Sequence, residues 1–547
     1  MDNKNMIRSS FIGILSLFMM VGCTNLDQHV YSVVQDQNFW QTPEQIASGI
    51  APGYQALTSL PDGDMLLLNE ATTDAMIIPT RGGDWYNGGV PQALWKHTWT
   101  PKTNAFDGAW NNIYNGVGRV NFALNALNQL ENQPDNIESI VAELKVLRAY
   151  FYYWAMDLFG NIPIVTDFNT NPNSVSNSSR KEAFSFLEKE LKENIDHLSE
   201  STGPETYGKV NKWVGYALLA KLYLNAEVYT GKAHWQDCID MTDSIINAGQ
   251  YSLSAGYFDN FSTDNQGSVE NIFVVPFDKI NIPGNNWENQ TLHYQNVANF
   301  QLAGSTWNGY SANKGFYKLF DTTSVYTKKE NRIYRTYLDQ RSGQWLIGQQ
   351  YSLPYPFPPD KNILYKAEDS LKLKDKGTGL DLSFTPKMDS ISSPSSAFRL
   401  AGVRNIKYFP EAGTAGNQSN DMVLFRYADI LLMKAECEVR LGQNLQNALD
   451  LVNQVRERAY SGDQSHDWTM SDLTLENILD ERGRELAWEL WRRQDLIRYE
   501  IASGTHYYTG ARVPAKAQDP ADGHTLLFPI PENQIIANPN LKQNPGY

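Results

Sequence analysis

The sequence predicts a mostly α-helical protein, a tetratricopeptide-like scaffold of paired helices with a large irregular inserted lobe. Three observations carry this. Apolar residues recur three or four apart along several stretches before residue 250 and after residue 419, as one buried helix face requires. These stretches come in pairs, and a two-helix unit of about thirty-odd residues has the length of a tetratricopeptide repeat. Between them, 250–419 breaks into short extended runs punctuated by Gly, Pro and aromatics, and a stretch this long is not a loop.

The N-terminus sets the compartment. Lys4 and Arg8 precede an apolar run from Phe11 to Val21, too short to span a bilayer and the right length for a signal-peptide core. Gly22-Cys23 follows directly. This predicts a lipoprotein signal over 1–22, with the Cys23 thiol diacylated, the peptide before it removed and the new amino terminus acylated. Two or more acyl chains anchor stably where one is marginal. Residues 23–37 are polar and form a tether. The helical region 38–249 begins at Thr42, with Pro43 next and Gln45 three residues on, a good helix start. In it, Ile137 to Gly160 places Ile140, Val141, Leu144, Leu147, Phe151, Trp154 and Leu158 on one face, while aromatics at 150–154 point nearly all round. That helix needs neighbours on more than one flank. Further helices are expected over Asp107 to Leu130, Arg180 to Leu198, Lys212 to Tyr229 and His234 to Ala248. The lobe 250–419 follows, and helices resume over 420–547.

Binding chemistry concentrates in two places. From Leu66 to Trp99 the chain is loop-like, and Gly82, Gly83, Gly88 and Gly89 forbid a regular element around Trp85. Asp74, Arg81, Asp84, Trp85 and Tyr86 there combine carboxylates, a guanidinium fork and aromatics, a set able to engage adjacent sugar hydroxyls. The competing expectation is a loop held by an Arg81 to Asp pair, with Trp85 tucked against the scaffold. In the inserted lobe, Trp287, His293, Tyr294, Phe300, Trp307, Tyr310, Phe316 and Tyr317 stand among Asn and Gln. Core packing is the default for most of them, but a sugar-binding face needs only two or three. Trp287, Tyr294 and Trp307 are the lobe's candidates.

Composition excludes other classes. The 547 residues carry 46 Lys plus Arg against 61 Asp plus Glu, a net charge of −15, so a phosphate backbone would be repelled and nucleic acid is not an expected partner. Aromatics make up 12% of the chain, with 14 Trp, a high share; a helical core needs aromatics, but Trp and Tyr in loops are also platforms for sugar rings. The eight His show no metal-ligand spacing, and no metal or cofactor is expected. Cys238 and Cys437 fall in expected helices and read as free buried thiols. Glu481, Glu485 and Glu489 repeat every four residues along one expected helix beside Arg482, Arg484, Arg492 and Arg493, which reads as an ion-paired face rather than an acid/base pair. There is no nucleophile elbow and no phosphate loop, so no catalytic residue is assigned.

Several segments carry a family resemblance. LRAYFYYWAMDLFGNIPIV, DMVLFRYADILLMKAECEVRLG with LQNALDLVNQVRERA, LENILDERGRELAWELWRRQDLIRY and LLFPIPENQIIANPNLKQNPGY each resemble a motif of the SusD/RagB lipoproteins. Departures are Asn161 for Asp, Leu490 for Gly, Arg493 for Trp and Gln534 for Glu. The resemblance implies an outer-membrane, lipid-anchored protein facing the cell exterior. Such a protein binds an oligosaccharide without catalysis and delivers it to a SusC-like TonB-dependent transporter. The alternatives are a RagB-type peptide-binding uptake protein and an (α/α) glycoside hydrolase.

Overall fold

Ile137–Phe159 forms a helix with every side chain from Val146 to Phe159 buried, as its all-round aromatic content requires. The computed structural model describes residues 39–61, 63–324, 329–333, 343–352, 371–388, 390–393, 396–511, 520 and 522–547; the expected signal, the expected tether and Cys23 lie outside them. Among these, ten helices run eleven residues or more: α1 Pro43–Gln55, α2 Asn104–Asn128, α3 Ile137–Phe159, α4 Arg180–Asn194, α5 Lys212–Leu224, α6 Trp235–Ala248, α7 Tyr427–Leu441, α8 Leu445–Ala459, α9 Leu475–Glu485 and α10 Arg492–Ser503. The fold is mostly α-helical and tetratricopeptide-like. Consecutive helices pack as neighbours, α2 on α3, α3 on α4, α5 on α6 and α7 on α8.

Helix α3 contacts elements on several sides. Trp154 stacks on Trp491 at 5.3 Å between centroids, Tyr150 meets Phe273 and Phe425 edge-on, and Tyr152 meets Tyr114 and Phe186. Gly116 lets α2 approach, because a Cβ there would lie 2.4 Å from the Phe151 ring. Arg148 donates to Glu190 of α4 at 2.8 Å and to Asn121 of α2 at 2.7 Å. At the C-terminal end Gly160 takes φ 67°, and Pro163 prevents continuation.

The irregular stretch is spliced into this scaffold. Helix α6 packs directly on α7, although the whole stretch separates them in sequence. Its entry strand β3 (Asn271–Val275) pairs antiparallel with its exit strand β6 (Met422–Arg426). Short strands stitch it to the loop before α2: β1 (Met76–Ile77) pairs with β4 (Ser311–Ala312), and β2 (Thr80–Arg81) pairs with β5 (Ser392–Ser393). Residues Ala47–Tyr547 thereby form one compact unit.

Two sequence expectations change in detail. The stretch read as one helix through Glu489 is two, because α9 ends at Glu485 and the chain turns through Trp488 (φ 59°) and Leu490 (φ 74°) before α10. The three glutamates do form a buried ion-paired set, but with partners mostly from other elements. Glu481 accepts from Arg332, Arg456 and Arg484. Glu485 accepts from Arg332, Arg426 and Arg458, and Glu489 from Arg426 and Lys407. Burial would push Glu485 up, but Arg458, Arg426 and Arg332 outweigh it and bring it to about 2. These carboxylates are spent on guanidiniums and lysine, which removes them from acid/base work. Cys238 and Cys437 are free and buried.

Candidate functional site

The loop between β2 and α2 is turned by main-chain bonds. The Arg81 N–H donates to Asp84 O at 3.0 Å, and the Asp84 N–H returns to Arg81 O at 3.4 Å. Trp85 follows at φ 65°, then Asn87 at 44°, Gly88 at 65° and Gly89 at 83°. The left-handed region suits Gly but costs a bulky residue such as Trp, so something must hold Trp85 there. Its indole Nε1 donates to the Trp307 carbonyl at 2.6 Å. Its ring lies edge-on to Tyr310 at 5.6 Å and directly on Gly309, where a Cβ would come within 2.3 Å of Cζ2.

Trp307 is fixed from behind. Its N–H donates to Asn289 O at 2.7 Å, and the next three residues donate to Leu292 O or Gln290 O, all on the short helix Trp287–Thr291 and its end. The side chain itself is 41% exposed. Tyr294, half-buried, donates its hydroxyl to the Asp84 carboxylate. Burial and the Asp84 charge raise the phenol to about 12, so it stays a donor at ordinary pH. On its ring sits the Arg399 guanidinium, 4.9 Å from the centroid. Trp85, Tyr294 and Trp307, from three separated segments, thus converge about Asp84 and Gly309, with Tyr86 exposed alongside.

The other three candidates serve the framework. Asp74 is 4% exposed, and both its oxygens accept from Arg492 of α10 at 2.7 Å. Trp287 is 2% exposed, wedged between Tyr408 at 5.1 Å and Trp488 at 5.9 Å, with no face left for a ligand. Arg81 is fully buried, and its guanidinium donates inward to the carbonyls of Phe398 and Ala401 and to Ser311 Oγ. The loop is therefore not closed by an Arg81 to Asp ion pair among the described residues. Sequence reasoning missed Arg399 and Gly309, since neither stands in a motif. His293 beside Tyr294 was noted only as part of the aromatic cluster; burial and Arg404 hold it down at about 3, so it is neutral.

What this arrangement can do chemically is bind. Two indoles and a phenol offer π faces to C–H-rich surfaces, while Asp84 and Arg399 offer an acceptor and a donor. Among the described residues, no group of three or more His, Cys, Asp or Glu could hold a metal ion.

The chain matches the SusD family over residues 269–547, and the family described as starch-binding associating with outer membrane over residues 50–224. It belongs to the SusD family. It is 24% identical over 562 residues to SusD-like protein P38 of Formosa agariphila, covering 99% of both chains. It is also 24% identical to the starch-binding protein SusD of Bacteroides thetaiotaomicron, over 84% of this chain and 82% of that one. Surface glycan-binding protein A of Bacteroides thetaiotaomicron, solved in complex with laminarihexaose, superposes with a TM-score of 0.67 at 20% identity, covering 92% of this chain and 99% of that one.

Proposed function

We propose that this protein captures an oligosaccharide on the Trp85, Tyr294 and Trp307 platform and hands it, unaltered, to a SusC-like TonB-dependent outer-membrane transporter. The observation that carries the reading is Trp307. A large indole left 41% exposed while its backbone is pinned by consecutive hydrogen bonds is a rigid aromatic face presented to a partner. Sugar rings fit such a face because their axial C–H groups meet the negative π surface. Relatives named for binding starch and laminarihexaose support the same class of ligand.

The chain reaches the membrane through Cys23, facing the cell exterior. Among the described residues no helix is long and apolar enough to cross a membrane; the apolar Phe11 to Val21 run is the core of a removed signal, and the acylated Cys23 that follows it is the anchor. Domain roles follow the sequence: 1–22 the signal, 23–37 the tether, 38–249 and 420–547 the scaffold, and 250–419 the ligand-bearing lobe.

The reading is tested by passing glycans and peptides over the immobilised full chain. Retention of at least one glycan class and of no peptide is expected; retention of peptides alone would overturn it. Extraction in mild detergent should bring down a large β-barrel protein, and a Cys23→Ala chain should no longer label with fatty acid.

A further inference from the structure

Under the aromatic platform lie three guanidiniums that stacking on sugar rings does not call for. Arg399 holds Asp375 through Nε at 2.9 Å and Nη2 at 3.1 Å. It is clamped between the Tyr294 ring and Gly377, where a Cβ would come within 2.9 Å of its Cζ. Its Nη1 has no partner among the described residues, and the side chain is 22% exposed. Behind it, Arg81 and Arg404 are fully buried and share three acceptors, Ser311 Oγ and the carbonyls of Arg399 and Ala401. Their remaining partners are the carbonyls of Phe398 and Gly402 and the Asn308 Oδ1, and every acceptor of the pair is neutral.

The charges do not balance. The carboxylates facing the cluster among the described residues are Asp375, taken by Arg399, and Asp84, taken by Tyr294. His293 is neutral. Three guanidiniums therefore stand against two carboxylates, and the main-chain N–H of the exposed Lys376 donates to Gln295 Oε1 beside Tyr294. Burying a cation against neutral acceptors is costly. Burial drives Arg81 down to about 9, and it drives Arg404 well below the ordinary arginine range. Apolar side chains would fill the same space without that cost. A net positive field in a chain of net charge −15 is a local device, and among the three guanidiniums it reaches solvent at the partly exposed Arg399.

We propose that Arg399 reads charge on the ligand, and that the glycan taken by this platform carries an anionic group, a uronate carboxylate or a sulfate ester. The inference rests on the glycan-binding reading above. A planar guanidinium pre-set by Asp375 and Tyr294 loses little entropy on meeting such an oxygen.

The test is calorimetry of the full chain in mild detergent with three hexasaccharide probes: laminarihexaose as the neutral probe, an oligouronate and a sulfated oligogalactan. At least one acidic probe should bind about tenfold or more tighter than the neutral one, the range of a hydrogen bond to a charged group. That preference should shrink as NaCl rises from roughly 0.05 M to about 0.5 M. Arg399→Gln should abolish both the preference and its salt dependence, whereas Arg399→Lys should keep the salt dependence. Because Arg399 also steadies Asp375, thermal melts accompany both variants, and the wild-type salt dependence decides the matter should Arg399→Gln unfold. Neutral binding equal to or tighter than both acidic probes overturns this inference and leaves the glycan-binding reading standing. Binding of none of the three overturns both.

Discussion

The Trp85 indole N–H donates to the main-chain carbonyl of Trp307 across 2.6 Å, joining two loops that lie 222 residues apart in sequence. One ring is thereby strapped to the backbone that carries the other. The strap also holds Trp85 at its left-handed φ of 65°.

Trp85→Phe keeps an aromatic face and removes the donor. A neutral hydrogen bond contributes about 1 kcal/mol, and the unfavourable φ is then no longer compensated. The loop should loosen, with faster amide exchange at 82–89 and several-fold weaker glycan binding, while global melting stays within about a degree or two of wild type. Unchanged exchange in that loop would show that the strap does not hold it.

Gly309→Ala should disable the same ring without touching it. The added Cβ would sit 2.3 Å from Trp85 Cζ2, so the indole must leave its seat. Binding should fall at least as far as in Trp85→Phe. Wild-type affinity in Gly309→Ala would mean that the seated position of Trp85 is not the binding one.

Asp74 and Trp287 behave as framework. Asp74→Ala strands the buried Arg492 guanidinium, at a cost of roughly 3 to 5 kcal/mol, and Trp287→Ala opens a cavity between Tyr408 and Trp488 at a similar cost of about 3 to 5 kcal/mol. Denaturant unfolding should register both losses, while the folded fraction binds normally. A variant that unfolds like wild type and binds poorly would return its residue to the site.

Glu288 gives the lobe a pH dependence. Burial lifts its carboxyl to about 7 from an ordinary 4.5; its own N–H, Thr414 and the Gly416 N–H work downward, and Glu411 upward. The folded value lies above the unfolded one. Its contribution to stability is therefore fully present below about pH 4.5 and is lost as pH rises through about 7. Glu288→Gln should melt higher than wild type at about pH 8 and lose that advantage near about pH 5. An advantage independent of pH would contradict the assignment.

How much of this was legible in the sequence depended on the range of the forces involved. Helix α3 was readable because its spacing, its terminal Gly160 and Pro163 act within a few residues. The break after α9 was not, since Leu490 at φ 74° is held by a bond from its N–H to Glu70, 420 positions away. The candidate site divides in the same way. Trp287 and Trp307 both stand among small and polar residues in sequence, yet one is sealed by Trp488 and the other is exposed. Arg81 reads as a ligand fork, but its acceptors are the Ser311 hydroxyl, 230 residues on, and carbonyls more than 300 residues on. Arg399 carried no local signal at all. Its role comes from Asp375, Gly377 and Tyr294 meeting only in the fold.

The most direct measurement is calorimetry of Trp307→Ala against the glycan that the full chain captures. Trp307 is exposed and its backbone bonds survive the substitution, so thermal melting should be unchanged. Loss of one stacking ring should weaken binding by about 1 to 3 kcal/mol, roughly five- to 150-fold. Wild-type affinity in a Trp307→Ala chain that melts like wild type would contradict the account.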